Sequence, residues 1–145
     1  MPTPVLAGYA RAGGGPGDIV REWKGVVIAE SLRDPTAING FPVHRAYISH
    51  DVMELGAGRP PGRWHLYWIQ ASQEEIAAIR GGLLHGWYAH FWNENRTIVV
   101  YDDAVFEMDR FNRSTWKAAT EHGLAMGIPE EQLDFPTDDS TGTLE

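Results

Sequence analysis

The chain has 145 residues, 43% of them hydrophobic and 11% aromatic, which fits one domain with a packed core. It contains no cysteine, and that excludes disulfides, thiolate metal sites and cysteine nucleophiles. The formal net charge of −8 is concentrated late: after Pro129 come Glu130, Glu131, Asp134, Asp138, Asp139 and Glu145 without a Lys or Arg, so the remainder is close to neutral and has no basic stripe for nucleic acid.

Residues 1–20 hold the run Ala12-Gly13-Gly14-Gly15-Pro16-Gly17 and read as a flexible glycine-rich arm, because ordering so many glycines is entropically costly. No strand precedes this run and no Lys-Ser/Thr follows it, so it is not a phosphate loop. Met1 to Pro16 also lack the charged start and apolar stretch of a signal peptide. No apolar run approaches the roughly 18 residues of a membrane span. A cytoplasmic protein is the expectation.

The first strand is predicted over Gly25 to Leu32, around a β-branched centre. Asp34-Pro35 and Asn39-Gly40 signal turns. Val43 to Ser49 is a second strand, 54–63 a Gly/Pro loop, and the aromatic-rich Trp64 to Ala71 a third strand. Ser72 to Leu84 carries the strongest helix signal. Ser72 and Glu75 match a capping box, and Ile76, Ile79 and Leu83 fall on one stripe, with Gly86 placed to end the helix.

Trp87 to Trp92 and Thr97 to Tyr101 are strands joined by a hairpin at Asn93-Glu94-Asn95-Arg96, and Val105 to Met108 extends or follows them. Ser114 is read as the cap of a second helix over 115–126, with Trp116, Ala119, Gly123 and Met126 inward. Gly127 takes the left-handed cap position and Pro129 stops the helix. Residues 21–135 thus form a single domain, and 136–145 read as a disordered acidic tail.

The order of elements predicts an α+β fold: an antiparallel sheet of about five strands with two helices on one face, ferredoxin-like or a related α+β barrel. The sheet's other face is then open to water or covered by a second subunit, and its aromatics favour a homodimer.

Strand alternation sorts the candidate site residues. In the first strand Val26, Ile28, Glu30 and Leu32 share a face, which makes Glu30 a lone carboxylate in an apolar row and a candidate general acid or base. If the strand stops at Ala29, Glu30 lies instead at the solvent edge. Tyr88, His90 and Trp92 share one face and form a possible pocket wall. The competing reading of His90 is a core histidine bonded to a neighbour. His65 and Tyr67 line the same cavity if their strand lies nearby.

Six histidines occur, none with a His-x-x-x-His spacing, so no metal and no organic cofactor is expected. Asp102-Asp103 reads as a turn, with cation binding as the lesser alternative. No Gly-x-Ser-x-Gly elbow is present.

Glu30-Ser31-Leu32, Trp87-Tyr88-Ala89-His90-Phe91-Trp92, Gly127-Ile128-Pro129 and Gln132-Leu133-Asp134-Phe135 resemble a small uncharacterised prokaryotic α+β family over about residues 24–135. The resemblance implies one structural unit, with the Gly-Ile-Pro ending packed on the domain through Leu133 and Phe135. It implies no activity.

The residues point to a small-molecule enzyme of acid–base type (lyase, isomerase or cyclase). Glu30, His90 and Tyr88 are its catalytic candidates, and His65, Tyr67 and Trp92 would contact substrate. The alternative is a non-catalytic ligand-binding or protein-interaction module on the same sheet.

Overall fold

The computed structural model describes residues 20–56 and 58–137, so most of the arm and of the tail inferred above lies outside them. Six strands form one antiparallel sheet: β1 Trp23–Ile28, β2 Val43–Ile48, β3 His65–Ala71, β4 Tyr88–Asn93, β5 Arg96–Tyr101 and β6 Val105–Asp109. Their order is β2-β3-β1-β4-β5-β6. The described residues also contain two α-helices, α1 Gln73–Gly82 and α2 Lys117–Ala125. Short 3-10 turns lie at Ala29–Ser31, Pro35–Gly40, Arg113–Trp116 and Glu130–Gln132.

β1 lies inside the sheet, antiparallel to both β3 and β4. The β3–α1–β4 connection therefore crosses over β1, giving one split β-α-β unit. From β4 onward the strands follow each other as hairpins. A ferredoxin-like sheet requires a second such crossover. Here α2 is followed by a 3-10 turn, and no strand comes after it among the described residues. The sheet is also not closed into a barrel, since β2 and β6 stand at its two ends.

The two helices lie on opposite faces, not on one as the sequence suggested. Val27, Ile69, Phe91, Ile98 and Val100 point to one face, where Ile76 and Ile79 of α1 pack with Leu32, Ile38 and Leu83. Val99, Tyr101 and Met108 point to the other, covered by Trp116, Ala119 of α2, Ile128, Leu133 and Phe135. The cause is β5. Ile98, Val99, Val100 and Tyr101 are apolar in succession and all buried, so both sides need cover. Over β4–β6, the face left for water or a second subunit is thus filled by the chain itself. Over β1, β3 and the end of β4 that same face carries Val26, Leu66, Trp68 and Trp92, with Tyr47 and Trp64 against them.

The capping box is present: Ser72 Oγ accepts from the Glu75 N–H at 3.1 Å, and Glu75 Oε1 accepts from the Ser72 N–H at 2.9 Å. α1 ends earlier than expected because Leu83 leaves it to bridge with Leu32. Gly86, at φ 91°, shapes the turn before β4 instead of ending the helix. The side chain capping the turn into α2 belongs to Asn112, which accepts from the Ser114 N–H and hydroxyl, and not to Ser114.

Gly127 has φ 93°, and its N–H and that of Ile128 bond back to Leu124 and Gly123. This turns residues 128–137 onto the sheet. Gly123 lets them close in: a Cβ there would sit 2.6 Å from Leu133 Cδ2 and 2.7 Å from the Tyr101 hydroxyl.

Candidate functional site at one end of the sheet

Antiparallel pairing brings particular strand ends together. Ile28, at the end of β1, lies opposite Leu66 near the start of β3. Tyr88, at the start of β4, lies opposite Tyr101 at the end of β5. The residues just after β1 and β5 and just before β3 and β4 therefore project from the same end of the sheet. These include Glu30, Trp64, His65, His85, Trp87, Asp102 and Asp103.

β1 stops at Ile28, so Glu30 is not in an apolar strand row. The Ser31 hydroxyl donates to the Ile28 carbonyl at 2.6 Å, and the Leu32 N–H donates to Ala29, closing a 3-10 turn. The turn swings the Glu30 carboxylate to the start of β3. There it accepts from the His65 main-chain N–H at 2.8 Å and lies 2.7 Å from His65 Nδ1. The Glu30 side chain is 18% exposed and the His65 side chain 41%, so the carboxylate is the inner member of the pair. At the same sheet end, with Trp64 packed on the opposite face against Val26, Leu66 and Trp68, the rings of Trp64 and Trp87 meet at 5.4 Å, and the Arg59 guanidinium lies over Trp87 at 5.8 Å. Trp64 Nε1 and Arg59 Nε are buried N–H donors without a hydrogen-bond partner.

Of the other expected site residues, Tyr67 shares a strand face with His65, two positions along β3, and the rest are placed elsewhere. Tyr67 is half-buried against the α1 side of the core. Tyr88 and His90 lie beneath residues 132–136: the Tyr88 hydroxyl donates to the Gln132 carbonyl and His90 Nε2 bonds the Pro136 carbonyl. Phe135 packs edge-on against the Tyr88 ring. Burial pushes the Tyr88 phenol well above its usual range and the His90 imidazole down to about 4. These two side chains hold the C-terminal segment. Trp92 stacks on His90 and reaches the opposite end of the sheet, where it borders a cleft of about 580 Å³ with Lys24, Asn93 and Arg110. The structure brings Glu30 and His65 together. It separates both from His90, Tyr88 and Trp92.

A second group on the same sheet end contains Asp102 and Asp103, read from sequence as a turn with cation binding as the lesser alternative, and adds two histidines that the sequence reading did not join to them. His85 Nδ1 lies 3.2 Å from each oxygen of Asp102, and His122 Nε2 lies 2.8 Å from Asp103 Oδ1. That contact holds the Asp103 carboxyl below its ordinary range. The available signal was positional: Asp102-Asp103 follow β5 directly and His85 precedes β4, the strand paired with it. Comparison with protein-family models, with curated proteins and with solved structures gives no match in any of the three.

Proposed function

We propose that this protein is a small-molecule enzyme of acid–base type, with the Glu30–His65 pair as its proton-transfer centre. The observation that carries the reading is the 2.7 Å contact between Glu30 and His65 Nδ1, backed by the 2.8 Å bond from the His65 N–H. A carboxylate fixed by main chain on one side of an imidazole sets that ring's orientation. Nε2 then becomes the atom that takes and returns a proton. The half-exposed ring gives substrate access. His90 and Tyr88 have no part in this chemistry.

The test is proton exchange at carbon. The protein is incubated in D₂O with a panel of enolisable keto acids, hydroxy ketones and lactones, and deuterium uptake is followed by NMR. Uptake by the wild type, with a loss of about 100-fold in His65→Gln and a smaller loss in Glu30→Gln, supports the reading. Equal uptake by wild type and His65→Gln removes it.

The alternative is a ligand-binding module without catalysis. It is favoured by one observation: the pair sits at an open sheet end rather than in an enclosed cavity. Absence of exchange across the panel supports that alternative.

A further inference from the structure

The tight loop after β5 and the turn before β4 bring metal-ligating side chains from distant parts of the chain to one point. His85, Asp102 and Asp103 each offer one ligand atom, and these atoms lie within 4.8 Å of one another. The 3.2 Å separation of His85 Nδ1 from the Asp102 oxygens is long for a charge-assisted hydrogen bond, usually about 2.7–2.9 Å. It is close to the edge of a tetrahedron around an ion bound at about 2.0–2.1 Å, roughly 3.3 Å.

His122 completes the arrangement from outside. Its Nε2 holds Asp103 Oδ1 at 2.8 Å, and its ring is packed 4.7 Å from that of Tyr101 and 5.4 Å from that of Phe106. A carboxylate held through such an outer partner is a recurring device of metal centres.

We propose that His85, Asp102 and Asp103 form a site for one divalent transition-metal ion of the zinc type, with His122 as a positioning residue for Asp103. The two carboxylates balance the charge of the ion. The imidazole selects against magnesium and calcium, which prefer all-oxygen sites. The ion takes the place of the proton between Nδ1 and Asp102, so binding releases protons and weakens in acid. With three protein ligands and an exposed His85, coordination positions remain for water or a small anion. The site does not involve Glu30 or His65, and it stands whether or not that pair is catalytic.

The test uses the full chain, stripped with chelator and titrated with zinc by calorimetry, then with cobalt(II) by absorption. One ion per chain and a visible cobalt band are expected. His85→Gln, Asp102→Asn and Asp103→Asn are each expected to weaken binding tenfold or more. His122→Gln should weaken it less while shifting the cobalt band. Glu30→Gln and a His44→Gln/His50→Gln double variant should bind as the wild type does. Thermal unfolding of the metal-free variants checks that they remain folded. No zinc heat and no cobalt band would overturn the proposal. So would unchanged affinity in the Asp102→Asn/Asp103→Asn double variant, or binding that disappears with His44 and His50.

Discussion

His90 Nε2 and the Pro136 carbonyl oxygen are joined by a hydrogen bond that spans 46 positions and pins the end of the described chain over β4. A carbonyl only accepts, so Nε2 carries the hydrogen, and it is burial that keeps the ring neutral. Burial is the main reason its pKa falls from 6.5 to about 4. The Pro136 bond and the charge of Asp134 act in the opposite direction and are outweighed. Arg110 ties down the next residue, donating to Thr137 Oγ1 at 2.9 Å and to its carbonyl at 2.8 Å. The first two residues of the expected tail are thus bonded to the sheet.

This arrangement fixes the sign of a pH effect. At His90 the unfolded chain takes up a proton near pH 6.5, and the folded chain does so only near pH 4. Between these values the unfolded state holds more protons, so stability is lost as pH falls through that window. The full effect is on the order of 3 kcal/mol. Urea midpoints at neutral pH and near pH 4.5 check it. His90→Gln is expected to be less stable than the wild type at neutral pH but to lose less on acidification. Parallel losses would assign the slope to other groups.

Gly123→Ala is expected to destabilise the protein by about 1–3 kcal/mol, the usual cost of overpacking. Helix propensity alone favours Ala by up to about 1 kcal/mol. The added methyl, however, meets Leu133 at 2.6 Å and the Tyr101 hydroxyl at 2.7 Å. Denaturant unfolding of Gly123→Ala alone and combined with Leu133→Ala separates the terms, because part of the clash disappears in the double variant. A more stable single variant would contradict the packing described.

Gly25→Ala tests the centre of the sheet. Gly25 pairs with Phe91, and a Cβ there would lie 2.1 Å from Phe91 Cδ2 and 2.9 Å from the His90 carbonyl oxygen. Gly25 leaves the space that the Phe91 ring occupies. A loss of at least about 2 kcal/mol in unfolding free energy is expected, because one obstacle is main chain and cannot rotate away. An unchanged melting temperature would show that Phe91 has another rotamer available.

Glu75 serves two partners. It closes the capping box with Ser72 and accepts both Arg21 Nε at 3.0 Å and Nη2 at 2.9 Å. Glu75→Gln keeps the cap and weakens the ion pair, whereas Glu75→Ala removes both. The expected costs are below about 1 kcal/mol for Gln and about 1–2 kcal/mol for Ala, measured by chemical denaturation. Equal costs would mean that the ion pair contributes nothing.

Features set by near neighbours were legible in the sequence. The Ser72–Glu75 box, the left-handed Gly127 and the Asn93–Arg96 hairpin each depend on residues a few positions apart. Leu133 and Phe135, expected as the apolar anchors of the ending, are buried. Glu30 stands between two readings in the sequence, because apolar alternation continues formally through Leu32 while the strand could equally stop at Ala29; β1 ends at Ile28. The Ser31 hydroxyl and the Leu32 N–H bond back to Ile28 and Ala29 as the chain turns out of β1. The placement of the helices depends on which face each chain segment returns to, and local pattern does not carry that. The His85–Asp102 contact joins positions 17 apart through the pairing of β4 with β5, so no spacing motif announces it.

The position of β1 bears on how the chain acquires its structure during synthesis. Of the described strands, the one that leaves the ribosome first has as partners Leu66 to Ala71 and His90 to Trp92, all of which emerge much later. It must wait unpaired, with Val26, Val27 and Ile28 unprotected, while the intervening chain is made. Sheet assembly is therefore delayed until most of the domain has been translated. In that interval the nascent chain is most open to chaperones and to mispairing with its neighbours.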